Sequence, residues 1–178
     1  MQEYILKNGE TLVVQKAAPE DAAAVLAFLN RAGGESDNML FGENAFTLTV
    51  QQEADYLRAQ AQSETSVTLC GKVGGQVVCV ASLQTPSQPR IAHTSSLAIV
   101  VAKSFWGQGV GSAVIARLFA FARTAGITLV HLGVRADNSA ARALYRKMGF
   151  EETGVYKNYF QLNGKYCDEI LMAQQLNG

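Results

Sequence analysis

The apolar stretch "LAIVVA" (Leu97 to Ala102) runs into three glycines within five residues, Gly107, Gly109 and Gly111, and then into a run with helical spacing. Glycine weakens both strands and helices, so three at such a junction must serve a tight turn, a ligand brought close to the backbone, or both. Spacing rules out one phosphate loop and weakens another. A Walker-type loop ends in Gly-Lys-Ser/Thr, whereas Gly111 is followed directly by Ser112. A dinucleotide fingerprint needs G-x-G-x-x-G and an acid about twenty residues on, and no acid follows here before Asp137. A simpler possibility remains. A helix start presents unpaired N–H groups and the positive end of its dipole, and glycines let an anion such as a pyrophosphate approach. A tight turn without a ligand is the plain alternative.

The rest of the chain punctuates itself into elements. "TLVVQKA" (from Thr11) reads as a strand, and "PEDAAAVLAFLNRAG" as a helix opened by Pro19 and closed at Gly33 and Gly34. A polar loop leads to a second helix beginning near Thr49. Strands "SVTLCGKV" and "QVVCVASLQ" flank Gly74-Gly75, a hairpin signal. After "HTSSLAIVVA" and the glycines, Val114, Ile115, Leu118, Phe121 and Ala122 mark a third helix ending at Gly126. "ITLVHLGV" is a buried strand, and "NSAARALYRKM" a helix with Asn138 at its N-cap. Two last strands meet at Asn163-Gly164. The sequence therefore predicts an α/β (α+β) fold, with a mixed, mostly antiparallel sheet of six to seven strands and about four helices.

Bulk properties narrow the function. The 178 residues fit one domain, 1–178, and 15 basic residues balance 15 acidic ones. No net field recruits nucleic acid or an anionic membrane, and no apolar run approaches the ~20 residues of a membrane span. The start, "MQEYILKNGE", does not read as a signal peptide. Cys70, Cys79 and Cys167 are scattered without metal-ligand spacing and read as reduced thiols, so the expectation is a cytoplasmic protein with no metal.

With "RADNSAARALYRKMGFEETG" beside the glycine loop, the chain resembles the GNAT superfamily of N-acetyltransferases. Their acetyl-CoA motif, Gln or Arg followed by x-x-Gly-x-Gly/Ala, is matched as Trp106-x-x-Gly109-x-Gly111, with Trp106 departing from it. Their second motif is matched by Asn138, Ala141, Leu144, Tyr145 and Gly149-Phe150. The element order is theirs as well. The resemblance implies that backbone groups of Ile99, Val100 and Val101 align the pantetheine arm of acetyl-CoA. It implies that the amides of Gly107, Gln108, Gly109, Val110, Gly111 and Ser112 hold the pyrophosphate. Asn138 would bond the pantetheine arm or nearby backbone, and Tyr145 would face the sulfur as the catalytic residue. Asn138 also serves as a plain N-cap, and Tyr145 lies in the apolar register of Ala141, Leu144 and Met148, where it could simply pack. Trp106, His93 and His131 read as structural. The segment "VYKNYFQL" offers a surface through which two copies could pair, as members of this superfamily often do.

The implied reaction is direct acetyl transfer to a primary amine of a small molecule or peptide. An alkylammonium with pKa near ~10 is only about one part in a thousand free base at pH 7, so a base is needed. The ribosomal-protein-alanine acetyltransferases of this superfamily carry a Glu at the position of Gly133, and others carry one near Ser95-Ser96, so neither carboxylate transfers. Glu35, Asp37 and Glu43, between the first two helices, are candidate acids bordering the acceptor. The alternatives are a CoA-binding module without turnover, or another acyl group or an O-acceptor.

Overall fold

Alternation of apolar residues builds the middle of the sheet first. β3 (Val67–Val73) and β4 (Gln76–Gln84) bury both faces along most of their length and pair antiparallel across the two glycines between them. β2 (Thr11–Lys16) joins β3 on one side, and β5 (Thr94–Val101) joins β4 on the other. The computed structural model describes residues 1–176. The order across the sheet is β1-β2-β3-β4-β5-β6-β8-β7, where β1 is Gln2–Ile5, β6 Leu129–Arg135, β7 Glu151–Leu162 and β8 Lys165–Gln175. This is the mixed, mostly antiparallel sheet expected, with eight strands instead of six to seven. The addition is β1, an edge strand of four residues with its apolar Ile5 exposed, so no period-two pattern announced it.

Among the described residues four α-helices cover the sheet: α1 (Ala22–Ala32), α2 (Val50–Gln62), α3 (Val110–Thr124) and α4 (Ser139–Lys147). Side chains assign the faces. Tyr56 and Gln60 of α2 meet Thr68 and Gln84, which share one face of β3 and β4, whereas Val67 and Leu69, on the opposite face, line one cavity with Arg117 and Phe121 of α3. Phe28, Leu83, Ile115, Leu118 and Met172 join in the main core, and Leu57 of α2 belongs to a smaller cluster with Ala17, Ala22, Ala54 and Cys70. The start of α2 is fixed by a reciprocal cap. Thr49 Oγ1 accepts from the Gln52 N–H at 3.2 Å, and Gln52 Oε1 accepts from the Thr49 N–H at 2.8 Å.

One junction differs from all the others. β5 and β6 are parallel and pair only at Thr94–Leu129, Ser95–Val130 and Ser96–His131, while β5 continues beside β4 as far as Cys79–Val101. Beyond Ser96 the two strands part, leaving a gap inside the sheet.

Candidate functional site

The gap has one polar wall. The Ala102 N–H donates to Val78 O at 2.9 Å, and antiparallel alternation then turns the main-chain groups of Val100 and Ala98 toward β4. Those of Ile99 and Val101 point the other way, into the gap. Val100 spends its backbone on Val80, and its side chain lies on the α2 face. Trp106 occupies one of the exposed acceptors: its indole N–H donates to Val101 O at 2.8 Å. The Val101 N–H is left facing the gap. The sequence offered an aromatic donor at Trp106 but not the carbonyl it would find.

The glycine loop lies beyond the end of this wall. Gly107 and Gly109 have φ of 74° and 100°, and space is open where a Cβ would stand on either. Gly111 has a different purpose: a Cβ there would stand 2.7 Å from Leu144 Cδ2, so its bareness lets α3 pack against α4. The first turn of α3 carries the expected unsatisfied donors. Ala113 N–H is the first to bond back, to Gly109 O at 3.1 Å. The amides of Val110, Gly111 and Ser112 find no backbone acceptor among the described residues, nor do those of Gly107 and Gly109. The Gln108 amide reaches Phe105 O at 3.4 Å, and its carbonyl accepts from the Lys7 N–H at 3.1 Å.

α4 supplies the remaining predicted residues. Asn138 is its N-cap, with Oδ1 accepting from the Ala141 N–H at 3.1 Å, which leaves the side-chain NH2 uncommitted among the described residues. Tyr145 is 8% exposed, and its ring meets Phe150 edge-on with centroids 5.8 Å apart. Burial pushes its phenol up to about 12, so it stays protonated at neutral pH and keeps a hydrogen to donate.

The opposite face of β6 carries His131, Gly133 and Arg135 and looks toward the segment between α1 and α2. The three loop acids divide there. Glu35 Oε2 accepts from the Lys103 N–H at 2.6 Å, Asp37 borders a cleft, and Glu43 folds against Gly34. That cleft, of about 300 Å³, lies between Met39 and Phe41 on one side and Arg135, Tyr159 and Phe160 on the other. Arg135 is already engaged. Its guanidinium donates to both oxygens of Asp137 (3.0 and 2.7 Å) and to Asp37 O (3.0 Å), and lies 5.4 Å from the Phe160 ring centroid. β7 reaches this cleft through a bulge. Three residues, Lys157 to Tyr159, face Asp168 alone, whose carboxylate accepts from Lys157 Nζ at 2.7 Å and the Asn158 N–H at 2.9 Å.

A carboxylate also stands where none was expected. Glu169 of β8 pairs with Arg135 and is 7% exposed. Its carboxyl group covers Gly133: a Cβ on that glycine would overlap Glu169 Cδ and Oε1 and stand 3.1 Å from Cγ. Burial alone raises its pKa, with no partner to lower it. One faint signal was present, an acid in the row Cys167, Glu169, Leu171, Ala173 that otherwise reads apolar.

Comparison with known proteins bears on the fold that carries this site. The family model described as Acetyltransferase (GNAT) family matches residues 38–150. The N-alpha-acetyltransferase RimI of Mycobacterium tuberculosis is 36% identical over 95 residues, 51% of this chain and 56% of that one, so the chain spans little more than half of that relative. The structure of a GNAT-family acetyltransferase from Streptococcus pneumoniae superimposes with a TM-score of 0.89 at 30% identity, covering 93% of this chain and 99% of that one. That of yncA from Salmonella typhimurium, determined with its cofactor acetyl-CoA, has a TM-score of 0.81 at 22% identity over 94% and 95% of the two chains.

Proposed function

The chain belongs to the acetyltransferase (GNAT) family, and from that premise we propose that it is a single-domain, cytoplasmic, acetyl-CoA-dependent N-acetyltransferase that transfers the acetyl group directly to a primary amine of a small molecule or peptide. The gap between β5 and β6 carries this reading. Its wall offers the main-chain groups of Ile99 and the amide of Val101, spaced like those of a strand edge, and pantetheine is a chain of amides that can pair with such an edge. At one end of the gap, five free amides from Gly107 to Ser112 gather where a pyrophosphate would sit. Asn138 has a spare NH2 for the same arm.

The chemistry follows from groups already in place. The Val101 N–H is the donor available to a tetrahedral oxyanion. Tyr145 hydrogen-bonds the departing sulfur. It does not surrender its proton: a phenol at about 12 opposite a thiol near ~8.5 would make full transfer uphill by roughly 5 kcal/mol. The two buried cysteines do not serve as acetylated intermediates. Burial lifts the Cys70 thiol to about 11, and raises Cys79 further still, so neither supplies a thiolate.

Calorimetry with acetyl-CoA tests the cofactor assignment, and free-thiol release across spermidine, glucosamine, free amino acids and a short peptide tests the transfer. Binding with amine-dependent thiol release is expected. Gly109→Ala, forced to hold φ near 100°, should keep the fold but weaken acetyl-CoA binding about tenfold. Intact protein that ignores acetyl-CoA would end the proposal.

A further inference from the structure

Deprotonation of the acceptor is the one requirement that the predicted residues leave unmet, and the carboxylate over Gly133 has no structural task of its own. Arg135 stands opposite Glu169 in the β6–β8 ladder, yet gives its nitrogens to Asp137 and Asp37 instead. Tyr156 stands opposite on β7, with its ring turned to Tyr159. His131 lies farther along the same face of β6, Cys167 precedes on β8, and Asp37 approaches from the segment after α1. None of these forms an ion pair or hydrogen bond with Glu169 among the described residues. The carboxylate is largely withdrawn from water yet keeps a little solvent contact, and its neighbour is the one residue type that leaves room for it.

We infer that Glu169 is the catalytic base of this enzyme, acting on the acceptor ammonium above Gly133, with a carboxylate from β8 filling a place that β6 leaves bare. The inference rests on the acetyl-transfer reading. In the step assigned to it, Glu169 takes one proton from the ammonium. The neutral amine attacks the thioester carbonyl, so that a C–N bond forms and the C–S bond breaks. The second nitrogen proton ends on the departing sulfur, and Glu169 returns its own proton to water. One proton is released per turnover. The raised pKa supports this role, because a carboxylate closer to the working pH is the stronger base.

The test is Glu169→Gln in the full chain, assayed with whichever amine of the panel above gives the fastest thiol release. The expected result is acetyl-CoA affinity within twofold of wild type, kcat lower by about a hundredfold or more, and loss of the acid limb of the kcat/KM pH profile. A merely structural carboxylate would leave that limb in place. Stability should not fall, since the carboxylate makes no ion pair that the amide would lose and burial disfavours its charge. A denaturant midpoint checks this. Should Glu169→Gln fail to fold, the relocated pair Gly133→Glu with Glu169→Gly takes its place. It should recover at least tenfold in kcat over Glu169→Gly alone, and no recovery would count against the assignment. Wild-type protein that fails to bind acetyl-CoA overturns both readings. Wild-type turnover matched by Glu169→Gln, with its pH limb intact, overturns only this one.

Discussion

Desolvation gives Tyr145 and Glu169 opposite abilities. Both groups favour their neutral form when buried, which secures a permanent donor in the phenol and a stronger acceptor of protons in the carboxyl group. Tyr145→Phe keeps the ring on Phe150 and removes only the hydroxyl. Turnover should therefore fall about tenfold, the scale of one lost hydrogen bond, with acetyl-CoA affinity and melting temperature unchanged. Steady-state kinetics beside calorimetry would show the split. Asn138 as an N-cap and Tyr145 on the apolar face were legible in the sequence, because both positions follow from spacing along one helix. Glu169 was not, because its position depends on which strand lies beside β6 and in what register. Neither fact is written locally.

The elements tell a similar story. Turn residues and apolar periods marked seven of the eight strands and all four α-helices, since each mark is a local matter of backbone conformation or burial. The divergence of β5 and β6 left no such mark: Leu97 to Val101 reads as a buried strand whether or not a neighbour pairs with it. The three glycines likewise look alike in sequence, although Gly107 and Gly109 supply backbone conformation and Gly111 supplies clearance for Leu144. Hydrogen exchange can read the gap directly. The amides of Ile99 and Val101 should exchange quickly in the free protein and slow down when acetyl-CoA is added. That of Val100, already paired with β4, should hardly change. Equal protection of all three before ligand would contradict the alternation argued above.

At the scale of the molecule, buried charge makes the fold sensitive to pH. Burial alone would raise the Asp21 carboxyl, but the Ala18 N–H at 2.9 Å and Lys72 Nζ at 2.6 Å outweigh it and hold the pKa below its ordinary value. A depressed folded value contributes stability above the unfolded pKa, near ~3.9, and loses it as pH falls through the folded one. Denaturant midpoints at pH 7 and pH 3 should therefore differ less in Asp21→Asn than in wild type. Glu53 and Glu169, both raised by burial, act in the reverse sense, their contribution fading as pH rises above the unfolded carboxylate value. The parted strands have a consequence of another kind. Most sheets carry their unsatisfied edges at the rim, where charge and twist discourage visitors. This one carries an edge indoors, between two of its own strands. Such a doorway admits by shape and hydrogen-bond rhythm, not by chemical name. A short extended peptide that keeps the same rhythm would be a natural intruder and a starting scaffold for inhibitors.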